Sequence, residues 1–205
     1  MLEALVAALD AREHETCNHS HRVSQYTMFL ARRMNVDEAA VKEIGYGALL
    51  HDIGKIGISD AILLKPDKLS VEEREVIKRH PEIGARILQR ARVAPAVTEL
   101  VLSHQEWYNG LGYPRGLRGE EICIGARIFA AVDAFDCITS DRPYRRAQTY
   151  AFAREEIRRN SGTQFDPHVV EAFLAIADWE WDALRAETMG QIAREELELA
   201  RTATT

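Results

Sequence analysis

Residues 44–55 read IGYGALLHDIGK. In this segment an apolar stretch is followed by a histidine and then directly by an aspartate. Asp37 precedes the stretch and can cap a helix, so we expect an apolar helix that delivers His51 and Asp52 at its end. An imidazole and a carboxylate from one backbone site offer a metal two ligands of different character. Lys55 adds a cation one turn onward. Because such dipeptides are common by chance, the pair needs partners elsewhere in the chain.

The composition describes an ordinary globular protein. With 205 residues, 46% hydrophobic and 28% charged, the chain fits one domain with enough apolar material for a core. No apolar run approaches the roughly 18 residues of a membrane helix, and no secretory signal is visible. Cys17, Cys123 and Cys137 lie far apart, which is typical of a reducing cytoplasm. The net charge of −6 argues against nucleic-acid binding but permits a local site for a small anion.

Histidines mark the ends of other predicted helices. Glu15 and His19 stand four residues apart and therefore share one helical face, although they also fit a solvated turn with an incidental pair. His80 precedes Pro81 at the start of a predicted helix, where a capping or surface histidine is also common. His104 follows another apolar helix. We find no strand pattern and no internal repeat, so the predicted fold is all-α.

The segment from Glu120 to Ile138 is the most apolar predicted helix, and we expect it to be central in the fold. It carries Asp133 and Asp136, and a buried carboxylate is costly unless it is paired or binds a cation. Residues 141–146, DRPYRR, follow it. Arginines are forked donors suited to phosphate, although an exposed arginine loop is commonly just solvated.

A glycine-rich loop, HQEWYNGLGYPRG at residues 104–116, precedes this helix. Gly110, Gly112 and Gly116 permit a close backbone approach or a positive φ. Tyr113 offers a flat ring and a hydroxyl to whatever the loop covers. A rigid turn with a packed tyrosine is the alternative interpretation.

Together the candidate ligands are nitrogen and oxygen donors without a cysteine, a set that suits two or three divalent cations rather than a structural zinc. A carboxylate shared by two ions, for which Asp52 is the natural candidate, would lower the pKa of a bridging water and clamp a phosphoryl group. The candidate ligands are Glu15, His19, His51, Asp52, His80, His104 and Asp133.

Seven motifs follow one another in a single order between about residue 12 and residue 177. They are residues 19–23 (HSHRV), 51–58 (HDIGKIGI), 80–84 (HPEIG), 104–114 (HQEWYNGLGYP), 133–136 (DAFD), 141–145 (DRPYR) and 161–167 (SGTQFDP). In these motifs the chain resembles the HD-GYP family, a bacterial branch of the HD superfamily of metal-dependent phosphohydrolases.

The resemblance implies an all-α, single-domain helical bundle with an ordered GYP loop over the metal site. It implies a phosphodiesterase that hydrolyses cyclic di-GMP to pGpG or GMP by attack of metal-activated water on phosphorus. Residues 1–11 would form a helical lead-in, 12–177 the catalytic domain, and 178–205 a helical extension with a frayed tail. Expected partners are cyclic di-GMP and a receiver, sensory or GGDEF-type signalling protein; a homodimer is left open, and no nucleic acid or membrane partner is expected.

The resemblance also implies roles for single residues. Six of the candidate ligands would hold two divalent ions, iron or manganese with nickel also suited, and the seventh, Glu15, would serve a third. Asp52 and Lys55 would be catalytic, with Lys55 near the scissile phosphate as an electrostatic stabiliser or proton donor. Asp136 would orient a neighbouring basic residue or ligand. The substrate-binding set would be Lys55, Gly112, Tyr113, Pro114, Arg142 and Arg145.

Two positions depart from the family pattern. Gln105 stands where most members have a second histidine, and Asn109 stands where an aspartate is usual. An amide is a poorer ligand than imidazole, so one metal position is expected to be weaker, and the loop is expected to be looser. These departures leave open a receptor that binds the dinucleotide without turnover, and also another cyclic dinucleotide or a nucleotide monophosphate as the substrate.

Overall fold

The structure, a computed structural model, describes residues 6, 9, 12, 18–141 and 145–202. The all-α prediction is confirmed: the described residues contain helices and no strand, with only two isolated β-bridges. The α-helices are α1 (Asn18–Arg33), α2 (Glu38–Leu49), α3 (Asp60–Leu63), α4 (Val71–Ile77), α5 (His80–Arg90), α6 (Pro95–Ser103), α7 (Ile124–Thr139), α8 (Tyr150–Arg159), α9 (Pro167–Ala175) and α10 (Asp178–Thr202). Two short 3₁₀ helices cover Ile53–Gly57 and Gly119–Glu121.

Local capping chemistry sets the starts of α2 and α4, the first of them as predicted. The Asp37 carboxylate accepts a hydrogen bond from the backbone N–H of Ala39, 2.9 Å away, at the start of α2. Ser70 and Glu73 form the reciprocal capping box that opens α4. Helix α2 ends at Leu49, two residues before His51, so the histidine and Asp52 lie in the turn that leads into the first 3₁₀ helix.

Helix α7 lies at the centre of the fold and packs against α1, α2, α6, α8 and α9. It begins at Ile124 rather than at Glu120, because residues 119–121 form a separate 3₁₀ turn and Cys123 has extended backbone angles. Phe135 of α7 is almost fully buried and its ring centroid lies 4.9 Å from that of Trp181 in α10. The residues after 177 therefore contribute to the same core, and their helix continues to Thr202.

A second, smaller apolar cluster supports the turn after α2. It joins Leu50 and Ile53 to side chains of α5 and α6, and Val6 and Leu9 also pack into it. The 3₁₀ helix Ile53–Gly57 packs directly on α5. In the described part of the chain no helix is both long enough and apolar enough to cross a lipid bilayer.

Candidate metal centre

Four buried histidines, each at most 7% exposed, are held by their Nδ1 atoms. Nδ1 of His51, His80 and His104 lies 2.7 to 2.8 Å from the backbone carbonyl three residues earlier in the chain. Nδ1 of His19 lies 2.8 Å from a carboxylate oxygen of Asp136. Donation from Nδ1 leaves the Nε2 lone pair available, which is the tautomer that a metal ligand needs.

Asp52, His80 and His104 form one group of converging ligand atoms, here called the Asp52 cluster. Oδ1 of Asp52 lies 3.3 Å from Nε2 of His80 and 3.8 Å from Nε2 of His104, and the two Nε2 atoms are 3.0 Å apart. Ligand atoms at about 2.0–2.2 Å from a tetrahedral ion would be about 3.4 Å apart. The three side chains therefore fit a divalent cation between them.

The second carboxylate oxygen of Asp52 faces other groups. Oδ2 lies 3.1 Å from Nε2 of His51 and 2.8 Å from Nζ of Lys55. The two oxygens of one carboxylate thus face different nitrogen ligands, which is the arrangement that a shared carboxylate requires.

His19, Asp133 and Cys137 form a second group, here called the His19 cluster, with all ligand atoms within 4.8 Å of one another. Nε2 of His19 lies 3.3 Å from Oδ1 of Asp133, and Sγ of Cys137 lies 3.6 Å from the same oxygen. The ring of His51 stands between the clusters, 5.6 Å from the His19 ring and 5.5 Å from the His104 ring, centroid to centroid. The six nitrogen and oxygen ligands that lie in the described residues are therefore adjacent.

The fully buried Asp136 holds His19 in place rather than joining either cluster. One oxygen accepts the His19 Nδ1 hydrogen, and the pair of oxygens accepts Nε and Nη2 of Arg22 at 2.7 and 2.9 Å. A buried carboxylate is stable here because it is paired and fully hydrogen-bonded. The prediction that Asp136 orients a neighbouring basic residue is in agreement with these contacts.

The electrostatics of the centre favour a cation. Burial, together with the charges of His80 and His51, lowers the pKa of His104 to about 3, so its ring is neutral at pH 7. Burial alone would raise the pKa of Asp52, but Lys55 and His51 hold it well below its usual range. Burial also opposes a charged His19, but the hydrogen bonds that its ring donates to Asp133 and Asp136 outweigh burial and raise the His19 pKa to about 10. A metal ion bound at Nε2 of His19 can replace the proton that this nitrogen shares with Asp133.

Glu106 anchors the glycine-rich loop beside the centre. It is 3% exposed, and its carboxylate accepts the backbone N–H of Arg115 at 2.7 Å and of Leu117 at 3.0 Å. A Cβ at Gly112 would lie 2.2 Å from the backbone nitrogen of Trp107, so only glycine fits there. Tyr113 is held with its ring centroid 6.4 Å from that of His80, and the Tyr113–Pro114 peptide bond is cis. The loop is therefore ordered against the metal centre.

Replacing Glu106 with glutamine should loosen this loop, because an amide has one acceptor oxygen for two backbone donors. We expect the free energy of unfolding to fall by about 1–3 kcal/mol. Amide hydrogen exchange at Arg115 and Leu117 should quicken. Glu120→Gln, at an exposed position of the neighbouring 3₁₀ helix, is the matched control. Unchanged exchange at both amides in Glu106→Gln would show that the carboxylate does not hold the loop.

The remaining predicted site residues lie around the clusters or outside the described residues. Arg145 is exposed and donates a hydrogen bond from Nη2 to the Cys137 carbonyl at 2.5 Å. Glu15 and Arg142 lie outside the described residues.

The backbone carbonyl of Gln105 accepts the Tyr113 N–H at 3.1 Å, and Gln105 belongs to neither cluster. We expected a looser loop because Asn109 stands where an aspartate is usual. Its Oδ1 nevertheless accepts a hydrogen bond from the N–H of Leu111 at 3.0 Å, so the amide supports this turn of the loop.

Sequence reasoning missed Cys137 and Arg12. The spacing of four residues between Asp133 and Cys137 was the available signal for the first. No local signal exists for Arg12, whose guanidinium donates to the carbonyls of Lys55 and Ile58, more than forty residues away in the chain. That contact fixes the end of the 3₁₀ helix that follows Asp52.

Comparisons with known proteins identify the family of this chain. Residues 3–169 match a family described as HD domain. A cyclic di-GMP phosphodiesterase of Thermotoga maritima is 43% identical over 189 residues, covering 91% of this chain and 51% of that protein. A cyclic di-GMP phosphodiesterase response regulator of Xanthomonas campestris is 40% identical, covering 84% of this chain and 46% of that protein. The chain thus spans about half the length of these relatives.

A solved structure supports the fold. A cyclic GMP-AMP specific phosphodiesterase of Vibrio cholerae superposes with a TM-score of 0.67 at 23% identity, covering 89% of this chain and 52% of that chain. At that level of identity the similarity establishes the fold alone. The chain therefore belongs to the HD domain family, and the resemblance of its motifs to the HD-GYP branch is confirmed.

Proposed function

We propose that this domain is a metal-dependent phosphodiesterase that hydrolyses cyclic di-GMP to pGpG or GMP. The observation that carries the proposal is the position of Asp52, whose two oxygens face separate nitrogen ligands while Lys55 lies beside it. The activity named for the Thermotoga maritima and Xanthomonas campestris relatives supports cyclic di-GMP as the substrate.

The proposed centre would hold two divalent ions, and Asp52 would be a ligand of both. His80 and His104 would complete one position, and His19, His51 and Asp133 would supply the other. Iron and manganese suit these ligands best and nickel is also suited, while Glu15 would serve a third ion. When bound, the ions would supply a Lewis acid for the phosphoryl oxygens and a nucleophile from water at neutral pH.

The chain itself would hold and polarise the substrate. We infer that Lys55, half-buried at the edge of the centre, stabilises charge on the scissile phosphate or gives a proton to the leaving oxygen. The Tyr113 ring, ordered by its loop, offers a surface for a guanine base. Gly112 and Pro114 set the position of that ring, and Arg142 and Arg145 would bind the second phosphate.

Removing the Lys55 ammonium should separate catalysis from metal binding. We expect Lys55→Met to lower kcat by roughly 10²–10³-fold, because a preorganised charge at the phosphate is lost. Metal content should be retained, because Lys55 is not a ligand. Lys42→Met, at an exposed position of α2, should match the unchanged protein in both measurements. Loss of metal from Lys55→Met would assign the lysine to the assembly of the centre instead.

The direct test follows the products of anaerobically prepared protein loaded with iron or manganese. Incubation with cyclic di-GMP should yield pGpG or GMP, and chelation of the metal should stop the reaction. Cyclic GMP-AMP and a nucleotide monophosphate, assayed in parallel, distinguish the alternative substrates. If metal-loaded protein binds cyclic di-GMP with micromolar affinity but forms no product, the phosphodiesterase proposal is overturned and a dinucleotide receptor is favoured.

We also propose that the protein acts in a reducing compartment, the cytoplasm, under the control of a receiver, sensory or GGDEF-type signalling partner. The free thiol of Cys123 supports the reducing compartment. The chain spans about half the length of its curated relatives, and the name of the Xanthomonas campestris relative describes a response regulator, which supports control by a signalling partner.

A further inference from the structure

We propose that Cys137 supplies a thiolate to the ion held by His19 and Asp133, which makes this half of the centre selective for ferrous iron or zinc over manganese and magnesium. The inference rests on the metal centre of the proposed function. It does not depend on the identity of the substrate.

Helix geometry brings the thiol to the cluster. Cys137 follows Asp133 by four residues on α7, so both side chains lie on the same face, one turn apart. Sγ of Cys137 lies 3.6 Å from Oδ1 of Asp133, and all three ligand atoms of the cluster are within 4.8 Å of one another. Cys123, the other cysteine among the described residues, is at the opposite end of the same helix and belongs to neither ligand cluster.

The separations match those of a mixed nitrogen, oxygen and sulfur site. With metal distances of about 2.3 Å to sulfur and about 2.1 Å to nitrogen and oxygen, bond angles of about 90–110° at the ion place nitrogen about 3.0–3.4 Å and sulfur about 3.1–3.6 Å from the oxygen. The corresponding distances to Asp133 Oδ1 are 3.3 Å from His19 and 3.6 Å from Cys137. Both distances lie within these ranges.

Neighbouring residues contact both the His19 ring and the backbone of Cys137. Asp136, fixed by Arg22, binds the far side of the His19 ring, so Nε2 cannot turn away from the cluster. The guanidinium of Arg145 donates a hydrogen bond to the Cys137 carbonyl and so contacts this turn of α7. On binding, the metal–sulfur bond forms and the thiol proton passes to solvent.

A thiolate changes which metal is preferred. Soft sulfur ligands favour zinc and iron, whereas manganese and magnesium prefer carboxylate, carbonyl and water oxygens. The Asp52 cluster contains no sulfur. The two halves of the centre are therefore expected to prefer different metal ions. Of iron and manganese, we expect iron in the half that contains Cys137.

Cobalt(II) provides a probe that reports sulfur directly. The full chain is stripped of metal with a chelator, reduced, and titrated anaerobically with Co²⁺ while near-ultraviolet absorption is recorded. The unchanged protein and the control Cys123→Ser should develop a sulfur-to-cobalt charge-transfer band. Cys137→Ser and Cys137→Ala should lack the band, and their preference for Zn²⁺ over Mn²⁺ in competition should fall on the order of 10-fold or more.

The outcomes separate the two proposals. A band that persists in both Cys137 variants, or Co²⁺ binding by the unchanged protein without a band, overturns the thiolate ligand and leaves the phosphodiesterase proposal intact. Failure of the unchanged protein to bind Co²⁺ overturns both. Circular dichroism melting of the serine and alanine variants shows whether a lost band reflects lost structure, and either folded variant suffices for the test.

Discussion

Asp52→Ala is expected to lose the metal centre and all phosphodiesterase activity. Its Oδ1 faces His80 and His104 and its Oδ2 faces His51, so one substitution removes a ligand from both proposed ion positions. Without Asp52, the position beside His80 and His104 keeps only imidazole ligands from its cluster. We expect metal affinity to fall by more than roughly 100-fold, because even supporting residues of metal sites contribute 10–100-fold. Elemental analysis of the purified variant and product formation from cyclic di-GMP provide the measurements.

Two companion variants make the result specific. Asp52→Asn keeps the shape of the side chain but lacks the charge that two cations share, so it should fail in the same way. Asp67→Ala, at an exposed position of the following connection, should retain metal and activity. Near-normal metal content and rate in Asp52→Ala would show that the ligand assignment is wrong.

Gly54→Ala is expected to displace His80 and destabilise the whole site. A Cβ at this position would lie 1.8 Å from the carbonyl oxygen of His80 and 2.5 Å from the backbone nitrogen of Gly84. Both are backbone atoms of α5, so no side-chain rotation relieves the clash. Helix α5 must shift and carry the His80 imidazole away from Asp52. We expect the free energy of unfolding to fall by about 3 kcal/mol or more, at the upper end of overpacking costs.

Urea unfolding and metal content together check this prediction. Gly190→Ala is the matched control, because a Cβ on this exposed position of α10 meets nothing within 4 Å. It should stabilise the protein by about 0.5–1 kcal/mol, the usual gain on replacing glycine within a helix. A Gly54→Ala protein with unchanged stability and full metal content would contradict the close packing of the 3₁₀ helix on α5.

Helix starts that depend on local chemistry were predictable from the sequence. The carboxylate of Asp37 and the Ser70–Glu73 box act within a few residues of themselves, so spacing alone identifies them. The start of α7 was predicted four residues too early. Periodicity does not distinguish the last turn of a helix from a separate 3₁₀ turn at residues 119–121, because both expose similar side chains.

The candidate site was predictable in its residue types but not in its full set of contacts. Because Asp133 and Asp136 lie on an apolar helix, the sequence predicted that each carboxylate has a partner. In the structure Asp133 belongs to the His19 cluster, and Asp136 accepts a hydrogen bond from His19. The contacts of Arg12 with the 3₁₀ helix and of Trp181 with the core join distant parts of the chain. Such contacts depend on tertiary packing, which no local pattern encodes.

Anomalous diffraction from crystals of the iron-loaded protein, grown anaerobically, tests the shared role of Asp52 most directly. We predict two anomalous peaks, one beside His80 and His104 and one beside His19 and His51, with the Asp52 carboxylate between them. A single peak, or two peaks that both lie on one side of Asp52, would contradict the shared carboxylate on which the proposed function depends.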